Sequence, residues 1–265
     1  MYSGFQLAKK FVHYYLTAKN GKGHGIHSPF VFDFVKNVLK DKKNYECYNI
    51  IEPLRKKLLN DNTIIAIEDF GAGSAIIPTN ERKVSVIAKS SLKNKKFAQL
   101  LFRIAKYYQA ETIVELGTSL GITTCYLASA NGHSKVFTLE GSKAIGEIAK
   151  ANFEKLNLYN ISFIQDSFER SLPEILNKTK DIDLIFVDGN HRKKATLGYF
   201  AEALKKSTPS SIFIFDDIHW SEEMEGAWKI IKAHPSVTLT IDLFFIGIVF
   251  FNPDFKVKLD FIIRY

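Results

Sequence analysis

The chain has 265 residues, of which 46% are hydrophobic and 24% are charged, and these fractions are ordinary for a globular protein. Its longest wholly apolar run, residues 243–251, is too short to span a bilayer, which needs about 20 residues. The two cysteines, Cys47 and Cys125, are far apart and in no metal-ligand spacing, and the first ten residues lack the apolar core of a secretory signal. The sequence therefore predicts a cytoplasmic protein with no disulfide framework and no membrane partner.

The formal net charge of +8 is unevenly distributed. Residues 1–110 carry 19 Lys/Arg and 8 Asp/Glu, whereas residues 111–265 carry 17 and 20. A basic first part joined to a mildly acidic second part indicates two regions with different partners. Lysine clusters of this kind are most often solvated helix faces, although they could attract nucleic acid or an anionic substrate, and no recognised nucleic-acid motif accompanies them.

The first 90 residues have mostly helical patterns, and we predict a helical region over 1–90 and a second domain over 91–265. The run HGIHSPF at 24–30 has two interpretations. It is either a loop that reaches an active site or a helix start capped by Ser28 with Pro29 in the first position, and the helix start is favoured. The glycine-rich run EDFGAGS at 68–74 is interpreted as a turn, with a loop folding over the active site as the alternative.

From about Lys96 onward, strand-like and helix-like segments alternate. The strand-like runs are short and rich in β-branched or aromatic residues, at 113–116, 136–139, 161–164, 182–187 and 212–215. Strands that alternate with helices predict a parallel sheet covered on both faces. The last two runs, 237–242 and 245–251, are separated by only two residues, which requires an antiparallel hairpin. We therefore predict an α/β fold whose seven-stranded mixed sheet ends in this hairpin.

Acidic residues stand at or just after the ends of four of these runs, and they are Glu140, Asp166, Asp188, Asp216 and Asp217. Ligands of open α/β sheets bind at the carboxyl edge of the strands. A row of carboxylates at that edge favours hydroxyls, amines or cations as ligands. The alternative is that each acid only caps the helix that follows it, which explains one or two of them.

The first run leads into the glycine loop Glu115-Leu116-Gly117-Thr118-Ser119-Leu120-Gly121. Gly117 allows a tight turn and a close approach to a ligand, and the helix that follows presents free N–H groups. Glu140 comes 23 residues after Gly117, at the end of the second strand, where a carboxylate can accept hydrogen bonds from both ribose hydroxyls.

In order and spacing, the motifs Glu115-x-Gly117-x-x-x-Gly121, Glu140, Asp166 and Val187-Asp188-Gly189 resemble those of class I S-adenosylmethionine-dependent methyltransferases. The likeness covers about residues 92–250 and is greatest to small-molecule O-methyltransferases of the catechol and caffeoyl-CoA type. It implies a Rossmann-like fold, S-adenosyl-L-methionine as the cofactor and a small-molecule acceptor. The implied cofactor-binding residues are Glu115, Gly117, Thr118, Ser119 and Gly121 around the methionine portion, Glu140 at the ribose, Asp166 and Ser167 beside the adenine, and Asp188.

The same resemblance implies Mg²⁺ or another divalent cation at Asp188, Asp216 and Asp217, although the catechol-type enzymes have Asp-Asn where this chain has Asp216-Asp217. A lysine three residues after the metal-binding acid helps to deprotonate the acceptor in those enzymes. Here that position is His191, the candidate general base, with a surface histidine as the alternative. His219 and Trp220 are candidates for the lining of the acceptor pocket, or else a rim residue and a packing aromatic.

Three other functions remain open at this stage. A nicotinamide-dependent dehydrogenase also uses a glycine turn and a later acid, but the glycine spacing and the antiparallel ending argue against it. A non-catalytic methyltransferase-like module could bind nucleic acid through the basic first part. A methyltransferase could also act on RNA or protein, because fold does not determine the acceptor. The sequence does not determine the oligomeric state.

Overall fold

The computed structural model describes residues 1–19, 27–67 and 81–265. Its helices are α1 (Gly4–Thr17), α2 (Pro29–Phe34), α3 (Glu46–Leu59), α4 (Val84–Ser91), α5 (Lys95–Tyr107), α6 (Ile122–Ala128), α7 (Lys143–Lys155), α8 (Phe168–Lys178), α9 (Lys193–Leu204) and α10 (Glu222–Ala233), with a π-helical turn at Val35–Leu39. Its strands are β1 (Ile64–Ala66), β2 (Glu81–Lys83), β3 (Thr112–Leu116), β4 (Lys135–Glu140), β5 (Ile161–Gln165), β6 (Ile182–Val187), β7 (Ser207–Asp216), β8 (Leu239–Asp242), β9 (Ile246–Phe250) and β10 (Leu259–Ile262).

Side-chain caps fix the starts of the first two helices. Ser3 and Gln6 form a reciprocal capping box at the start of α1. Ser28 caps α2 by accepting from the Val31 amide, with Pro29 in the first helical position. The predicted helix start is thus confirmed for 27–30, while the rest of the 24–30 run and the whole 68–74 run lie outside the described residues.

The chain forms two compact units, Met1–Asp41 with Thr179–Tyr265, and Lys42–Lys178. We refer to them as the discontinuous unit and the central unit. The limits of these units differ from the boundary expected near residue 90. The division into domains 1–90 and 91–265 stays a prediction. The mostly helical character of the first 90 residues is confirmed where they are described, with the short antiparallel pair β1–β2 as the exception.

The central unit contains three parallel strands, with β4 between β3 and β5. Helices α6 and α7 connect these strands, as the alternating pattern predicted. Helix α5 has a buried apolar face that includes Leu100, Leu101 and Ile104. Because all three strands run in the same direction, the residues that follow them come to one edge of this sheet.

The discontinuous unit contains five strands in the order β10-β8-β9-β7-β6. Strands β6 and β7 are parallel, whereas β9 runs antiparallel to both β7 and β8, which confirms the predicted closing hairpin. Strand β10 was not predicted, and it pairs in parallel with β8. With β10, the described residues contribute eight strands to the mixed α/β fold where the sequence predicted seven.

Candidate functional site

The loop between β3 and α6 is a tight turn that only particular residues can form. Gly117, Ser119 and Gly121 all have positive φ, at 102°, 47° and 82°. Residues other than glycine seldom adopt positive φ, because their Cβ atom is crowded there. The amides of Gly117 and Thr118 both donate to the carbonyl oxygen of Leu139, each at 3.0 Å. The loop is therefore tied to the end of β4.

Gly121 also has no room for a side chain. A Cβ atom at this position would lie 2.5 Å from Cε1 of Phe153 and 3.3 Å from Cβ of Ala149, both on α7. Asn152, also on α7, donates from its side chain to the carbonyl of Leu120 at 3.0 Å. Helix α7 thus packs closely against the loop.

Glu115 is fully buried beneath the loop. Its carboxylate accepts hydrogen bonds from the hydroxyls of Thr124 and Thr138, the latter at 2.6 Å, and the hydroxyls of Thr138 and Thr118 are themselves 2.6 Å apart. These bonds join β3, β4, the loop and α6. The side chain of Glu115 therefore holds the loop in place, and its predicted contact with the methionine portion stays a prediction.

Glu140 ends β4 and accepts from two backbone amides. One carboxylate oxygen lies 3.0 Å from the amide nitrogen of Ser119 and the other lies 3.0 Å from that of Ser142. Burial raises the pKa of Glu140 above its ordinary value, and the backbone hydrogen bonds oppose this shift. Each carboxylate oxygen can accept a second hydrogen bond, so Glu140 can receive ligand hydroxyls while it holds the loop.

Asp166 and Ser167 follow β5 at the same edge, since Gln165 pairs with Glu140 across the parallel strands. Asp166 accepts from the Ser167 amide at 2.7 Å and forms an ion pair with Arg170 of α8. Asp166 therefore stabilises the start of α8, which agrees with the capping interpretation for this acid. Its predicted place beside an adenine ring is not tested by these contacts.

In the discontinuous unit, Asp188 follows β6 and His191 lies three residues further on. Nε2 of His191 is 3.9 Å from Oδ1 of Asp188. The His191 ring packs edge-on against Trp220, with ring centroids 5.3 Å apart. An aromatic neighbour and a carboxylate thus orient His191, and its ring is partly exposed.

Asp216 and Asp217 come at the end of β7. Asp216 is buried, and Asp217 has a positive φ of 53° with its amide 2.7 Å from the carbonyl oxygen of Phe245. Within the three described ranges, no three His, Cys, Asp or Glu side chains are grouped so that they could hold a metal ion. The trio expected from the sequence, Asp188, Asp216 and Asp217, does not form such a group.

His219 occupies a partly buried network that the sequence did not predict. Its Nδ1 lies 3.0 Å from Glu225 and its Nε2 lies 2.8 Å from Asp242, while its ring stacks on Phe244 with centroids 5.2 Å apart. Both ring nitrogens are engaged, so His219 is a structural histidine in this arrangement. Glu225 is only six residues from His219, but Asp242 is 23 residues away, and no pattern in the sequence relates it to His219.

The charge of His219 follows from the same contacts. Burial disfavours the charged imidazolium, but the hydrogen bonds and negative charges of Asp242 and Glu225 outweigh burial and raise the pKa of His219. Tyr2 and Lys10 of the amino-terminal segment also bind Glu225, at 2.8 and 2.9 Å. The network therefore connects this segment to α10 and β8.

Neither disulfides nor spanning helices occur in the described part of the chain. Cys47 and Cys125 are free thiols. None of the described helices has both the length and the apolar character needed to cross a bilayer.

Comparisons with known proteins agree with this geometry. A family model described as a methyltransferase domain matches residues 114–218. A catechol O-methyltransferase of Niastella koreensis is 31% identical over 128 residues, which cover 46% of this chain and 55% of that protein. A catechol O-methyltransferase of Mycobacterium tuberculosis is 23% identical over 160 residues, or 60% of this chain and 69% of that protein.

The fold is also found among solved structures. An O-methyltransferase from Bacillus cereus, crystallised with S-adenosylhomocysteine, superposes with a TM-score of 0.56 at 22% identity, over 83% of this chain and 97% of that one. The match to the Niastella protein spans only about half of its length. Residues 114–218 therefore match a methyltransferase domain family, and the chain has the same Rossmann-like fold as this solved O-methyltransferase.

Proposed function

We propose that this chain transfers a methyl group from S-adenosylmethionine to an oxygen atom of a small-molecule acceptor. The observation that carries the proposal is the bond between Glu140 and the Ser119 amide. It places a carboxylate that can receive ribose hydroxyls beside a glycine loop whose backbone can closely approach a ligand. The methyltransferase domain match and the catechol O-methyltransferase relatives support the same activity.

The residues of the central unit have the chemistry that the cofactor requires. Glu140 would accept from the ribose hydroxyls, the loop from Gly117 to Gly121 would pass along the methionine portion, and Asp166 with Ser167 would flank the adenine. Glu115 also acts through the loop, because one of its carboxylate oxygens accepts from two threonine hydroxyls.

In the reaction, the acceptor oxygen forms a bond to the methyl carbon while the carbon–sulfur bond breaks and sulfur keeps the electron pair. The protein contributes mainly by aligning the reactants in a water-poor pocket. We assign the acceptor's proton to His191, as general base. Asp188 and Trp220 lie against its ring, and a neutral imidazole has one nitrogen that can accept a proton.

The predicted divalent cation requires a separate test. Catechol-type chemistry implies one at Asp188, Asp216 and Asp217, but these residues do not form a three-ligand group in the structure. Calorimetry with Mg²⁺ and Mn²⁺, and activity before and after chelation, test the cation directly. Tight binding that is lost in Asp217→Ala would establish the site that the sequence predicts.

Calorimetry also tests the cofactor. Purified protein is expected to bind S-adenosylmethionine and S-adenosylhomocysteine but not NAD. A screen of catechols, phenols and hydroxylated metabolites, read out by S-adenosylhomocysteine release, then identifies the acceptor. Binding of NAD without either sulfur compound would overturn the proposal in favour of a dehydrogenase. Salt-sensitive RNA binding without cofactor binding would instead indicate a non-catalytic module.

A further inference from the structure

Helix α1 has an inner face that attaches it to the rest of the discontinuous unit. Tyr14 is buried and donates its hydroxyl to the carbonyl of Ile263. Phe11 packs edge-on against Phe244, with ring centroids 5.1 Å apart. Lys10, near the middle of the helix, forms its ion pair with Glu225. These contacts hold α1 without using its opposite face.

The outer face of α1 is apolar and exposed. Phe5, Val12 and Leu16 are 81%, 56% and 73% exposed, and Tyr15 is about half exposed. At 100° per residue, Phe5, Val12 and Leu16 lie within about 40° of one another around the helix axis. Single exposed apolar side chains are common on protein surfaces, but an aligned stripe marks an interaction surface. We call these four residues the outer stripe.

The amino-terminal segment that carries the outer stripe has no acidic residue of its own. Residues 1–32 contain four lysines and no Asp or Glu. Lys9 is exposed and lies on the same side of the helix as the outer stripe. The guanidinium of Arg264 lies 4.2 Å from the centre of the Tyr15 ring. An apolar stripe bordered by cations complements a surface with anionic head groups above an apolar interior.

From this arrangement we propose that the outer stripe of α1 binds the interface of an anionic lipid membrane, with the helix parallel to its plane. The helix has 14 residues and is about 21 Å long, too short to span the apolar core of about 30 Å. The sequence expectation of no membrane partner rested on the lack of a spanning segment, and an interfacial helix needs none.

Other occupants fit these features less well. Two copies of α1 packed through the outer stripe would bring their Lys9 side chains to one interface, and α1 itself has no acidic residue to pair with them. Nucleic acid requires mainly cations and stacking aromatics, whereas Val12 and Leu16 offer neither. Acyl chains and anionic head groups match both parts of the surface.

Co-sedimentation of the full chain with vesicles tests the proposal. Vesicles of phosphatidylcholine alone are compared with vesicles that contain about 30% phosphatidylglycerol, at about 0.1 and 0.5 M salt. Wild-type protein is expected to bind the anionic vesicles at least about tenfold more tightly than the neutral ones, and less tightly at high salt. The double variant Phe5→Gln/Leu16→Gln should bind them at least about tenfold more weakly than wild type.

The matched control replaces two exposed apolar residues outside α1, as Ile64→Gln/Val257→Gln, and should bind like wild type. Lys9→Gln removes one positive charge and should weaken binding to anionic vesicles about fivefold. If circular dichroism shows that the double variant is unfolded, Lys9→Gln still tests the proposal. The proposal is overturned if wild type does not sediment with anionic vesicles or if neither α1 variant weakens binding. The proposal is also overturned if the protein does not bind vesicles but instead binds RNA, or forms a dimer that Phe5→Gln/Leu16→Gln abolishes.

Discussion

The carboxylate of Glu140 accepts a hydrogen bond from the backbone amide of Ser119, with 3.0 Å between oxygen and nitrogen. Ser119 lies in the left-handed region with a φ of 47°, so a side chain at the end of β4 helps to hold an unusual backbone conformation after β3. In the proposed enzyme, the residue that receives the ribose therefore also shapes the loop for the methionine portion.

Because Glu140 has this double role, we predict that two substitutions of it will weaken cofactor binding to different extents. Glu140→Ala removes both the charged acceptor and the bond to the loop, and it should weaken S-adenosylhomocysteine binding by about 1.5–3 kcal/mol, roughly ten- to a hundredfold. Glu140→Gln keeps one carbonyl oxygen and should have a smaller effect. Titration calorimetry of both variants gives the comparison.

Glu147→Gln is the matched control, because Glu147 lies on an exposed part of α7 and pairs with nearby Lys150. It should bind the cofactor like wild type. Unchanged affinity in Glu140→Ala would remove this residue from the cofactor site and, with it, the observation on which the proposed function rests.

A second prediction concerns Gly121. A methyl group there would meet the Phe153 ring, and a φ of 82° is unfavourable for alanine. Gly121→Ala should lower stability by about 1–3 kcal/mol and also weaken cofactor binding, because the loop must shift. Thermal unfolding and calorimetry measure the two effects.

Gly132→Ala serves as the comparison, since a Cβ atom there would meet nothing within 4 Å. It should change neither property measurably. A Gly121→Ala protein as stable as wild type would mean that α7 moves away from the loop at little cost, and that the turn does not depend on glycine.

The parts of the fold that were predicted have local signals. The two residues between the last predicted strands leave only a hairpin, and the alternation of strands and helices leaves a parallel sheet. Strand β10 lacked such a signal because Asp260 stands within it. There Asp260 accepts from the hydroxyl of Thr240 at 2.7 Å and pairs with Lys232 at 2.6 Å, so distant partners stabilise a segment of low strand propensity.

In the candidate site, too, the residues that could be predicted have local signals in the sequence, and the others do not. The glycine loop and Glu140 could be predicted because their spacing along the chain reflects two adjacent parallel strands. The sequence also identified Glu115, but not that two threonine hydroxyls would donate to one of its carboxylate oxygens. The ion pair between Lys10 and Glu225 joins residues 215 positions apart, and no pattern in the sequence relates them.

The third prediction tests His191 as general base. General base catalysis typically contributes 10²–10⁴-fold, so His191→Ala should lower turnover by about that factor while cofactor affinity stays nearly unchanged. Once an acceptor has been found, steady-state kinetics and calorimetry separate the two effects. His133→Ala, in an exposed turn, should leave both unchanged. Turnover within about threefold of wild type, roughly 0.7 kcal/mol in barrier, would assign the proton to another group.

The last prediction concerns the stability contributed by His219. Because its pKa is raised in the folded protein, the imidazolium binds its proton more tightly when folded than when unfolded. This contribution is fully present below the ordinary histidine pKa of about 6.5 and is lost as the pH rises through the raised value. Glu225 has the opposite behaviour. Burial raises its pKa, but the hydrogen bonds of Lys10, His219 and Tyr2 outweigh burial and lower it, so its contribution is lost in acid as the pH falls through the lowered value.

Urea unfolding across this range gives the measurement. Wild-type protein should become less stable as the pH rises above neutrality, and His219→Gln should be less stable than wild type by about 1–3 kcal/mol at pH near 6, with a smaller difference at pH near 8.5. His133→Gln provides the control, since an exposed histidine with no such carboxylate pair should leave the pH profile as it is in wild type. If His219→Gln retains the wild-type pH dependence, then the carboxylates of Asp242 and Glu225 do not hold the imidazolium in solution, and another group must account for the slope.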